Sequence, residues 1–253
     1  MRNTNAIFMK QMRSLIKSPG MIVQGVVYIV MILVMTFLMG PERECPTPEY
    51  AYPCIEAFHC EYCMENNPLL SLPQLSVTGM FTVMFIGLAM VGSASALVQE
   101  DKTSHNLRFM RMAGMKPRQY LLGTATALFI MSLPILLLYA MVGRHFGFIT
   151  LEFMIITATG ALVSIMLGIT TGLSKAPIIA TPLSMLLGMG PMFSSFNERL
   201  ATYLHFTYTQ QVNLAIYNLE YGLELRTFKI IGANLVVILI LFLWTHRKGS
   251  LRW

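Results

Sequence analysis

The sequence predicts an all-α membrane protein with six transmembrane helices, and three observations carry that expectation. Of 253 residues, 55% are hydrophobic and only 12% charged, about half the charged share of an ordinary soluble domain. The apolar residues gather into six runs almost free of charge, each near the ~20 residues that a helix needs to cross a hydrocarbon core. The basic residues fall in short clusters between those runs. Six such runs leave no length for a second unit, so residues 1–253 read as one membrane domain.

The first segment, within residues 1–20, predicts an amphipathic interfacial helix. Phe8, Met12 and Leu15 fall on one face, while Lys10, Arg13 and Lys17 recur at three- and four-residue spacing on another. The run Met21–Met39 follows. It has spanning length and meets Gly40, Pro41 and Glu42 without a small-residue cleavage site, so it reads as a span and not a signal peptide. Further spans are expected at Ser76–Val98, Tyr120–Val142, Phe153–Leu173, Ala176–Phe196 and Phe228–Thr245. The last carries Lys229 and Asn234 in its first turns, where a lysine can reach the interface.

Charge sets the orientation. Of 18 Lys and Arg residues, 13 lie in the amino-terminal segment, the 99–118 loop, the turn at Lys175 and the tail. Arg43, Arg144, Arg199, Arg226 and Lys229 lie opposite, so both termini are expected on the cytoplasmic side. The same distribution accounts for the net charge of +6 without nucleic acid, because no single soluble face collects it.

Residues 200–219, LATYLHFTYTQQVNLAIYNL, are uncharged but too polar for a seventh crossing, which would also place Arg247, Lys248 and Arg252 outside. Residues 197–227 are therefore expected as short extracytoplasmic or re-entrant helices before the last span. In the fourth span Gly160, Ser164, Gly168 and Gly172 form a stripe of small residues where helices approach closely, within one chain in preference to a dimer interface. Pro182, Gly188, Gly190 and Pro191 predict a bent fifth span.

The outer loop, 40–72, holds Cys45, Cys54, Cys60 and Cys63. On an oxidising side these are expected as two disulfides, with three pairings possible; a zinc or copper site joining Cys60, Cys63 and His59, or free thiols, remain as alternatives. One C-x-x-C pair is a weak metal signal, and no metal site is expected.

The loop after the second span, QEDKTSHNLRFMRMAGMKPR, reads as a short helix. Ser104 is placed to cap it, Leu107 and Met110 make an apolar edge, Arg108 and Arg111 share a face, and Gly114 with Pro117 ends it. An amphipathic first helix, a span, an outer loop, a second span and then this loop resemble the type-2 ABC exporter permease family. The resemblance rests on the acidic pair Glu100-Asp101, the Leu107-Arg108 element and the basic turn Lys116-Pro117-Arg118-Gln119-Tyr120 leading into the third span, and it runs over the whole chain.

The resemblance implies a coupling helix within 99–118, with Glu100, Asp101, Leu107, Arg108, Phe109 and Arg111 facing a separate ATP-binding subunit. It implies a connecting helix at 2–17, with Phe8, Lys10, Met12, Arg13 and Lys17 docking on the same partner. It further implies a homodimer or heterodimer of permeases, surrounded by lipid in a bacterial cytoplasmic membrane, with ATP and Mg on the partner subunit. Two features of this chain agree independently. No G-x-x-x-x-G-K-[ST] loop occurs to hold ATP, and the inner parts of the spans lack ionisable side chains, as expected when the driving energy comes from elsewhere. A lining without charge favours hydrophobic or amphipathic cargo: a peptide, a drug or a lipid-linked molecule. No nucleophile, base and acid are grouped, so the chain is not expected to be an enzyme. The competing reading is a membrane scaffold that recruits a cytoplasmic partner without moving anything.

Overall fold

Surrounded by apolar side chains, a backbone can satisfy its N–H and C=O groups only within each segment, and every element among the described residues is a helix. The structure, a computed structural model, describes residues 2–17, 20–39, 74–114, 116–142, 148–174, 177–194, 197–219 and 225–247. The elements are α1 (Arg2–Lys17), α2 (Gly20–Met39) and α3 (Gln74–Met84), which passes through a π-helical stretch (Phe85–Met90) into α4 (Val91–Thr103). After them come α5 (Asn106–Met112), α6 (Pro117–Val142) and α7 (Phe148–Leu173). A 3-10 turn (Pro177–Ile179) leads into α8 (Ala180–Ser194), and α9 (Glu198–Leu204), α10 (Tyr208–Tyr217) and α11 (Leu225–Arg247) complete the order. The four cysteines and His59 lie outside the described residues.

Among the described residues four helices are long and apolar enough to cross a membrane: Val77–Thr103, Arg118–Val142, Leu151–Leu173 and Leu225–Leu243. A bent pair, Thr4–Lys17 with Gly20–Met35, passes the same test as a fifth. These apolar helices mark a membrane-embedded protein. The segment expected as a span at Ala176–Phe196 differs from the others. Its α-helix has 15 residues, roughly 22 Å at the rise of 1.5 Å per residue, against a hydrocarbon core of about 30 Å.

The helix running from α3 through α4 is the centre of the bundle, in contact with α2, α7, α8 and α10. Glycine makes these approaches possible. A Cβ on Gly87, in the π-helical stretch, would lie 2.6 Å from the backbone nitrogen of Gly188 on α8, and one on Gly188 would lie 2.7 Å from the Cβ of Leu88. The stripe on α7 faces inward in the same way: a Cβ on Gly168 would meet Ala94 Cβ and Val91 O at 2.6 Å, and one on Gly172 would meet Ser95 O at 2.8 Å. Within this chain, then, Gly168 and Gly172 pack against α4, while Gly160 and Ser164 face Val212 and Tyr208 of α10.

Apolar contacts fill the rest of the core. Phe85 and Tyr139 meet edge to face at 5.5 Å, a favourable arrangement for aromatic rings. The Tyr139 hydroxyl donates to the Gly25 carbonyl at 3.1 Å, joining α6 to α2. The polar segment folds into two short capped helices. Asn197 Oδ1 accepts from the backbone N–H of Arg199 and Leu200 at the start of α9, and Thr207 Oγ1 accepts from Gln210 at the start of α10. The second of these is buried among α3, α7, α8 and α11. Its polar side chains find partners there: Tyr208 and Ser164 hydroxyls lie 2.7 Å apart, and Ser194 Oγ donates to Gln210 Oε1 at 2.8 Å.

Replacing Gly168 by Val should lower stability by about 1–3 kcal/mol, since the added atoms have no room beside α4. Gly232→Ala, at a helical position with open space around it, should be neutral or stabilising by up to about 1 kcal/mol. Thermal unfolding of the two variants in detergent compares them directly.

Candidate functional site

The 99–118 loop owes its shape to two residues with positive φ. His105, at φ +56°, reverses the chain after α4, and Gly114, at φ +77°, closes the turn after α5. A left-handed conformation costs a side-chain-bearing residue something that glycine escapes. Ser104 does not cap α5, as its position had predicted. Its hydroxyl donates back to the Glu100 carbonyl at 2.6 Å, as does its backbone N–H at 2.9 Å, so it finishes α4 instead. The backbone N–H of Arg108 and Phe109 reach the His105 carbonyl and begin the next turn.

The expected coupling residues divide into two sets. Asp101 and Leu107 are buried, at 4% and 6% exposure, whereas Glu100 and Arg108 are exposed and Phe109 is 63% exposed. Arg111 falls on α5. The outward edge of the loop thus carries Arg108, Phe109 and the exposed Met112, with Lys116 and Arg118 following.

Asp101 is engaged from three other helices. Lys10 of α1 forms an ion pair with its Oδ1, and Gln11 Nε2 of the same helix donates to Oδ2 at 2.7 Å. Tyr120 at the start of α6 donates to Oδ2 at 3.0 Å, and Asn106 Nδ2 of α5 to Oδ1 at 3.3 Å. A carboxylate removed from water is tolerable only with its oxygens occupied by donors, and charge-assisted bonds of this kind are the stronger class.

The first helix is placed by the same contacts. Ile7, Gln11 and Leu15, spaced four apart, form its buried line, while Phe8 and Met12 are partly buried against the core. Arg13 and Lys17 are exposed as expected, but Lys10 turns from that cationic edge toward Asp101. The helix lies along α6, where a Cβ on Gly123 would meet Ile7 Cβ at 2.9 Å.

Sequence reasoning missed Gln11, Asn106 and Tyr120 as partners of Asp101. One signal was present: Gln11 is the polar member of an otherwise apolar i, i+4, i+8 line, the place where a buried side chain needs a polar partner. Among the described residues no three His, Cys, Asp or Glu side chains converge as metal ligands. A small cleft at the other end of the bundle is lined by His205, Gln211, Asn218, Arg226 and Thr227, with Arg226 Nη2 at 3.3 Å from His205 Nε2.

No family model, characterised protein or solved structure matches the chain.

Leu107→Ala should destabilise the protein by about 2 kcal/mol or more, since it empties a buried site. Phe109→Ala, two residues along, should change stability by less than about 0.5 kcal/mol. Comparing their unfolding midpoints separates the inner edge of α5 from its outer edge.

Proposed function

We propose that this chain is the transmembrane subunit of an ATP-driven exporter, moving a hydrophobic or amphipathic molecule out across a bacterial cytoplasmic membrane. The observation that carries this reading is the loop between α4 and α6: a short helix whose buried side is braced and whose exposed edge combines cations with an aromatic ring. An isolated aromatic side chain 63% exposed between basic residues is the composition of a protein-contact surface, where Phe and Arg are enriched. The inner parts of the spans carry no Asp, Glu, Lys, Arg or His to couple transport to an ion gradient, which is consistent with a separate ATP-binding subunit docked on α5 and α1.

On this reading the chain crosses the membrane six times with both ends in the cytoplasm, α2 and α8 supplying two of the crossings. The pair α9 and α10 dips into the outer leaflet without crossing, its polar groups satisfied by the surrounding helices. Two permease chains, identical or homologous, enclose the pathway, and ATP and Mg bind to the partner subunits.

The test is reconstitution with a P-loop ATPase that co-purifies with this chain. Combined Arg108→Ala, Phe109→Ala and Arg111→Ala should leave the unfolding midpoint unchanged but reduce coupled transport about tenfold or more, as expected for loss of contact hot spots. Unaltered stimulation of ATP hydrolysis by cargo would refute the docking assignment. Retained ATPase binding with no cargo movement by the wild-type pair would replace the exporter with a scaffold.

A further inference from the structure

We propose that the Asp101 carboxylate is a positioning group that locks α1, the loop helix α5 and the base of α6 into one movable unit, so that force applied to α5 is delivered to α1. Two oxygens on one short side chain accept from Lys10 and Gln11 of α1, Asn106 of α5 and Tyr120 of α6. Those donors come from sequence positions as far as 91 residues from Asp101.

Each helix needs the carboxylate for a different reason. At seven residues, α5 is too short to persist on its own backbone bonds, and Leu107 and the Asn106 bond hold it to the bundle. By contrast, α1 is long enough, but its contact with α6 is an apolar ridge running past Gly123, which by itself fixes register weakly. The bonds from two consecutive residues, Lys10 and Gln11, to both oxygens of Asp101 supply that register. The positive φ of His105 is what folds the chain back so that Asn106 can reach a carboxylate five residues earlier.

Burial makes the arrangement cooperative. If α1 or α5 shifts by more than the reach of a hydrogen bond, the charge loses donors in a site with little water to replace them, and that loss is expensive. Small displacements are therefore shared among the helices instead of breaking the cluster. A second tie, from Lys102 Nζ to the Ser174 carbonyl at 3.1 Å, is exposed and correspondingly weaker.

Delivery of force from a partner rests on the reading of α5 as a docking helix, but the lock is testable on this chain alone. Hydrogen exchange of the full chain in lipid nanodiscs, read on segments 4–17, 106–112 and 151–173, reports it. With Asp101→Asn, exchange in α1 and α5 should rise together by about tenfold or more, as for loss of bonds to a charged group, with α7 unchanged. Lys10→Met should raise the same two segments, whereas Lys10→Arg, which keeps a cationic donor, should leave both near the native rates. A response confined to α1 or to α5 would show that Asp101 serves one helix only and would overturn the lock. Loss of protection in α7 as well would overturn it too, by making Asp101 a general support of the bundle. A lock that holds while the Arg108, Phe109 and Arg111 variant transports normally removes the docking reading alone; the opposite pattern removes the lock alone.

Discussion

The close approach of the central helix to its neighbours is the constraint on which the rest of the bundle depends. Between apolar helices in an apolar surrounding, little is gained by hiding hydrophobic surface, so contact area and backbone proximity decide which pairs hold. Gly87 against Gly188, and Gly168 and Gly172 against α4, let backbones meet where any side chain would push them apart. The π-helical stretch falls at the first of these contacts. An extra residue in a turn rotates the following side chains relative to the preceding ones, so α3 and α4 present different faces to α10 and α7 while remaining one continuous rod.

With that rod fixed, the loop that follows it inherits a defined position. Its α4 end is held through Gly168 and Gly172, and Asp101 is less than one turn beyond Val98, whose Cβ touches the Gly172 site. The buried carboxylate is thus not carried on a flexible connection. It projects from a helix packed closely against α7 toward α1, α5 and the base of α6. Replacing such a cluster by apolar residues of similar volume is often neutral for stability; what an apolar cluster lacks is a unique geometry, because methyl groups accept many neighbours and two carboxylate oxygens accept few.

Much of the architecture was legible in the sequence, and its physical basis explains which parts were not. Runs without charge located the long helices because a charged side chain in the inner part of a span is costly. The Gly160 to Gly172 stripe was legible as a contact, and its burial against the same chain follows from the spacing alone once a partner helix is near. The short helix of the 99–118 loop was legible from Gly114 and Pro117, yet Ser104 was read for the wrong helix: a hydroxyl beside a chain reversal can bond forward or back, and the left-handed turn at His105 decides the matter. The partners of Asp101 were not legible, since pairing Lys10 with a residue 91 positions away is a product of tertiary packing. Of the six named coupling positions, two are turned inward: Leu107, because a seven-residue helix must bury one edge to persist, and Asp101, which ends α4 among its donors.

That inward turn alters what the exposed edge can do. A loop helix held only by its ends would yield to a partner and absorb the push in its own bending. Here Leu107 and Asn106 on the inner side are fixed to helices that continue into the bundle, while Arg108 and Phe109 on the outer side remain free of it. The two edges of one turn of helix therefore divide the work: contact on one side, transmission on the other. The division also accords with where the most deeply buried carboxylate among the described residues sits, at the end of a span and not at its middle. At the middle it would serve an ion pathway; at the end, surrounded by donors from α1, α5 and α6, it joins the elements that a cytoplasmic partner would reach first on the proposed reading.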